Sequence, residues 1–174
     1  EIFGQISSLV EDLNEDNLVS KGNTVLIKPN LIRESRLQDD DWEYVITHPK
    51  VISAVVRWVY DSMSGKGKVI IADGPQTDSD FEKIAEKAKL YQIKDEYRDK
   101  ADFDIEIFDL REERWVTEDN VIVEKEQLSG DPKGYVEVDL GQSSEFAKDE
   151  REGNYYGAAP NYEETQRHHT GGHH

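Results

Sequence analysis

Three short stretches carry residue types able to do chemistry, and each lies beside an apolar run. Lys28-Pro29-Asn30 follows Thr24-Val25-Leu26-Ile27, and Asp73-Gly74-Pro75 follows Val69-Ile70-Ile71-Ala72. Thr47-His48 stands immediately before Pro49 and a helical stripe of Val51, Ile52, Val55, Val56, Val59 and Met63. A Lys ammonium is a point charge suited to a carboxylate or phosphate. An Asp beside it can orient a His, hold a metal or accept from a sugar hydroxyl. A helix N-terminus at Thr47-His48 favours an anion. Lys28, Asn30, Thr47, His48, Asp73 and Gly74 are therefore the expected ligand-binding residues, and Lys28, His48 and Asp73 the candidates for catalysis. Each also has a plainer reading: Lys28 as a strand-end charge kept in water, Asn30 and Asp73 as turn formers, His48 as a helix cap.

The elements that must position these residues are legible from hydrophobic period. Ile6, Leu9, Val10 and Leu13 predict an amphipathic helix over 4–18. The run at 24–28 is short, β-branched and apolar, which suits a strand buried on both faces in a parallel sheet. Pro29 ends it, having no N–H for a ladder. Residues 31–47 form a long connection, of the length used for lids and binding loops. Pro49 opens the next helix, and Gly65 and Gly67 close it. A second buried strand at 69–72 leads to capping residues Thr77, Asp78 and Ser79 and a third helix through Phe81, Ile84, Ala85 and Ala88. Phe103–Phe108 alternates strictly and predicts a strand with one wet face near a sheet edge. Helices and strands that alternate require crossover connections. The expected fold class is therefore α/β: a mainly parallel, Rossmann-like sheet flanked by helices. Strand-like pieces at 115–117, 121–123 and 135–138, with a turn at 130–134, add a small antiparallel unit. The expected division is an α/β domain over 1–141 and an irregular polar, Tyr-, Gly- and His-containing segment over 142–174.

If the strands at 24–28 and 69–72 are neighbours, the Lys-Pro-Asn and Asp-Gly-Pro corners converge on one crevice. Open α/β sheets bind ligands there, beyond the carboxyl ends of their strands.

Other residues invite weaker readings. Asp39-Asp40-Asp41 can hold a hard cation, but lacks calcium-loop spacing and reads as a solvated charge run. His168, His169, His173 and His174 can ligate zinc or nickel, though Gly171-Gly172 breaks any helix that would align them. Tyr155, Tyr156 and Tyr162 can stack on a sugar or base, or pack a loop. No Gly-rich phosphate loop and no nucleophile elbow is visible.

Composition excludes whole classes. The 174 residues carry 21 Lys and Arg against 38 Asp and Glu, a formal charge of −17. That argues against a general nucleic-acid binder, which neutralises phosphates with cations. There is no Cys, which excludes disulfides, thiolate metal sites and any iron–sulfur cluster within this segment. No apolar run approaches the ~20 residues of a membrane span, and no secretory leader is visible. The chain opens on Glu1 and closes on His174 with no finishing element, so it is expected to be a fragment of a longer protein. A cytoplasmic location is the default expectation, with export left open.

Three motifs in order resemble a known family. Lys21-Gly22-Asn23-Thr24-Val25-Leu26-Ile27-Lys28-Pro29-Asn30-Leu31, Thr47-His48-Pro49-Lys50-Val51-Ile52 with Val55-Val56, and Lys68-Val69-Ile70-Ile71-Ala72-Asp73-Gly74-Pro75 resemble the opening motifs of the domain-of-unknown-function 362 family. The likeness is specific over 21–75 and looser from about residue 80. It implies an α/β domain and no settled activity. In many members it also implies a later lysine–threonine–histidine motif, and in some ferredoxin-like Cys clusters; this sequence has neither. Asn154-Tyr155-Tyr156-Gly157 with Tyr162 resembles a segment of members associated with surface-polysaccharide gene clusters.

The expected function is an enzyme, or half of one, that binds a small anionic ligand at the C-terminal rim of the sheet. One alternative is a non-catalytic acidic binding or assembly module that engages a basic partner. Another is a metal-binding protein that uses the terminal His residues.

Overall fold

A computed structural model describes residues 2–12, 18–34, 45–119 and 121–136. The elements are α1 (Ile2–Asp12), β1 (Thr24–Ile27), α2 (Pro49–Ser62), β2 (Gly67–Asp73), α3 (Phe81–Lys87), α4 (Leu90–Glu96), β3 (Phe103–Asp109), β4 (Glu113–Glu118) and β5 (Val121–Gln127). The chain up to Pro132 forms one compact unit, and residues from Lys133 onward fall outside it.

The first three strands make a parallel sheet in the order β1-β2-β3, and β4-β5 form an antiparallel hairpin. The fold is thus α/β: a parallel sheet flanked by helices, with a small antiparallel addition. β2 is central, which explains its apolar sequence: Val69 and Ile71 are fully buried and Ala72 is 1% exposed. Alternate residues share a face. Val25 and Ile27 of β1, Val69 and Ile71 of β2, and Phe103, Ile105 and Ile107 of β3 join Ile52, Val56 and Val59 of α2 in one hydrophobic cluster. Ile84 of α3 and Leu90 and Ile93 of α4 complete it. Burying each of these aliphatic side chains contributes about 1.5–3 kcal/mol.

The sequence expectations need correction at two places, β1 and the antiparallel addition. β1 is not buried on both faces: it is an edge strand, and Leu26, turned away from the cluster, is 60% exposed. The third helix forms where expected, as α3, and a further helix, α4, follows it. Lys89, with a positive φ of 57°, breaks α3 from α4. The first helix covers Ile2–Asp12, and residues 13–17 of its expected span lie outside the described residues. In the addition, β4 and β5 pair as a hairpin, but Tyr135 and Val136 lie in no strand, while Glu137 and Val138 lie outside the described residues. β3 ends the described order, as its alternation predicted.

The loops at the carboxyl ends of the strands are tied to one another. Thr47 N–H donates to Asn30 O at 2.8 Å, and Asn30 N–H donates to Thr47 Oγ1 at 2.8 Å. This reciprocal pair closes the long connection at its base. Gln76 N–H donates to Ile32 O at 2.8 Å, so the chain after β1 runs beside the chain after β2. Trp115 N–H donates to Thr77 O at 2.8 Å and joins the hairpin to the same loop.

Candidate functional site

The two corners meet because the sheet register levels them. Ile27 pairs with Ile71, and β2 continues two residues further to Asp73. Lys28, one step past β1, therefore has Asp73 within reach of its side chain. The Lys28 ammonium lies 2.8 Å from Asp73 Oδ1. Asp73 shares the inward face of β2 with Val69 and Ile71, and is itself only 4% exposed. A buried carboxylate is costly unless its oxygens find donors. Asp73 Oδ2 accepts from Leu31 N–H at 2.7 Å, and Lys28 serves the other oxygen. The aspartate thus fixes the turn after β1 as well as the ammonium.

Lys28 keeps two further donors. An ammonium has three N–H groups, and the Lys28 side chain is 64% exposed. Asn30 is also exposed, and its side-chain amide has no hydrogen bond among the described residues. Gly74 is exposed at the same turn; a Cβ there would lie 3.7 Å from Arg111 Cγ, an ordinary contact. The structure thus brings Lys28, Asp73 and Gly74 to one rim, with Asn30 and Thr47 joined at its side.

His48 belongs to a different neighbourhood. It is the N-cap of α2, and its Nδ1 accepts from Lys50 N–H at 3.1 Å. It also lines a pocket of about 470 Å³ that includes Phe3 of α1, Arg57 of α2 and Ile93 of α4. Asp39, Asp40, Asp41, Tyr155, Tyr156, Tyr162, His168, His169, His173 and His174 lie outside the described residues. Among the described residues no group of His, Asp and Glu is arranged to hold a metal ion, and no helix is long and apolar enough to cross a membrane.

Two arginines at the rim were not foreseen. Arg111, 8% exposed, follows β3. Its Nε and Nη2 donate to Asp109 Oδ1 and Oδ2 at 2.9 and 2.7 Å, a bidentate fork. Its Nη1 donates to Gln76 O at 2.7 Å and Ser79 O at 3.0 Å, clamping the loop after β2 to the end of β3. Arg33 lies on the chain after β1. Its Nη2 is 3.3 Å from Asp78 Oδ2, and its Nε is buried with no hydrogen-bond partner among the described residues. The available signal was positional: Asp109-Leu110-Arg111 sits just past a strictly alternating strand, where the other two strands also end in charged corners.

A family model described as Domain of unknown function (DUF362) matches residues 25–131, from β1 through the hairpin. No curated protein and no solved structure matches the chain.

Proposed function

We propose, for this chain that belongs to the domain-of-unknown-function 362 family, that the carboxyl rim of its parallel sheet binds a small anionic ligand, as an enzyme or half of one. One observation carries the reading: an exposed ammonium is held 2.8 Å from a buried carboxylate at the ends of two adjacent parallel strands. Asp73 takes one donor of Lys28 and fixes its position, so the remaining donors are ordered before any ligand arrives. Pre-ordering of this kind lowers the entropy cost of binding. Asn30 adds an exposed amide with no hydrogen bond among the described residues.

The test is a thermal-shift screen of phosphorylated and carboxylated metabolites against the parent protein and Lys28→Ala. The reading expects at least one anion to raise the melting temperature of the parent and to leave Lys28→Ala unmoved. A stabilising anion that treats both proteins alike would remove Lys28 from the site.

A further inference from the structure

We infer that the open pocket bordered by α1, α2 and α4, apart from the sheet rim, is a second binding site, and that it takes a small amphipathic anion: an acidic head on an apolar or aromatic body. Its apolar wall is made by Phe3, Pro49, Ala54 and Ile93. Its volume of about 470 Å³ suits a small organic molecule. The charges around it run against the rest of the chain. Lys50, Arg57 and Lys89 line it together with one carboxylate, Glu96, in a protein of net charge −17. Neither lysine ammonium has an ion pair among the described residues. Arg57 lies 4.6 Å from the Phe3 ring centroid and a long 3.8 Å from Asp61. The guanidinium is therefore held over the aromatic wall and is only loosely neutralised.

Lys89 supplies an independent indication. It is a lysine in the left-handed region, φ 57°, at the junction of α3 and α4, a place where glycine is the easy choice. Outliers of this sort recur where a side chain is needed at a particular spot. Here the strained residue delivers an ammonium to the pocket. Apolar wall and cationic border together select a ligand with both characters. An inorganic anion would leave the wall unused, and a neutral apolar molecule would leave the cations unused.

The experiment is a titration of the ¹⁵N-labelled protein with phenyl phosphate, followed by amide shifts, alongside inorganic phosphate and benzyl alcohol. The amides of Lys50, Ala54, Lys89 and Ile93 are expected to move with phenyl phosphate, and affinity is expected to fall about tenfold in Lys50→Gln and in Lys89→Gly. Lys89→Gly relieves the positive φ, so its melting temperature holds or rises, and its loss of binding is not a loss of fold. Lys28→Ala retains this binding, which separates the pocket from the rim. Unmoved amides, or affinity in both pocket variants equal to that of the parent, overturn the inference. So does inorganic phosphate or benzyl alcohol binding there as tightly as phenyl phosphate.

Discussion

Asp73 Oδ1 sits 2.8 Å from the Lys28 ammonium while its Oδ2 accepts from Leu31 N–H at 2.7 Å, so one buried carboxylate joins two strand ends. The two bonds differ in what they contribute. Leu31 is fully buried, and its N–H has no route to water if the acceptor is lost. Lys28 is largely in water already.

That asymmetry predicts unequal costs. Asp73→Ala orphans a buried donor and should lower unfolding stability by about 2–3 kcal/mol. Lys28→Ala keeps the Leu31 bond but leaves the buried Asp73 Oδ1 without its donor, and should cost about 1–2 kcal/mol. Asp73→Asn keeps an acceptor for Leu31 and should fall between them. Urea unfolding of the three variants checks the order; a larger loss from Lys28→Ala than from Asp73→Ala contradicts it.

Arg111 is expected to be the most sensitive charged residue of the rim. Its guanidinium serves Asp109 and the carbonyls of Gln76 and Ser79 at once. Arg111→Met leaves those acceptors and a half-buried carboxylate unpaired, at a cost of about 3–5 kcal/mol. Arg111→Lys keeps the charge but cannot reproduce the fork and should still lose roughly 1.5–3 kcal/mol. Equilibrium unfolding measures both. A lysine variant as stable as the parent would show that charge alone suffices.

The fold and the rim were read from the sequence with different success. Apolar runs and helical stripes gave β1, β2, α2 and β3 because burial imposes periodicity on those residues. Order along the chain then implied crossovers, parallel strands and the meeting of Lys28 with Asp73. The exposed face of β1 was not legible, since an apolar strand at a sheet edge has the same sequence as one at its centre. The restart of the chain as α4 after Lys89 was not legible because a lysine carries no mark of a positive φ. His48 could be read as cap or as site residue, and only coordinates put it on the wall beside Phe3. Arg111 escaped notice because its partners, Gln76 and Ser79, stand 35 and 32 residues away, and long-range clamps leave no local pattern.

Gly67 fixes how closely β1 and β2 begin. Its φ is 153°, and a Cβ there would lie 2.7 Å from Asn23 O and strike the Met63 sulfur. Asn23 O also accepts from Lys68 N–H at 3.0 Å, so the backbone cannot yield without loosening the ladder. Gly67→Ala should destabilise by about 1–3 kcal/mol. Thermal unfolding checks it, and an unchanged melting temperature would contradict the close approach.

Tyr91 predicts a pH dependence at the alkaline end. Partial burial, with the hydrogen bond to Glu82 at 2.6 Å, pushes its phenol up from 10.0 to about 12. Between those values the unfolded chain has released this proton and the folded chain has not, so stability falls as pH rises. The contribution is complete below pH 10.0 and gone above about 12. Tyr91 is partly exposed, so screening limits it to about 1 kcal/mol or less. Tyr91→Phe should lose less stability than the parent across that window. Parallel pH profiles would contradict the assignment.

The reading of the rim as an anion site is tested most directly by calorimetric affinity for the most stabilising anion, compared between the parent and Lys28→Met. Methionine keeps the length and apolar stem of lysine and removes only the ammonium. The account predicts a dissociation constant about tenfold weaker or more in Lys28→Met, with unfolding stability lowered by no more than about 2 kcal/mol, so the protein stays folded for the measurement. Equal dissociation constants in the two proteins would contradict it.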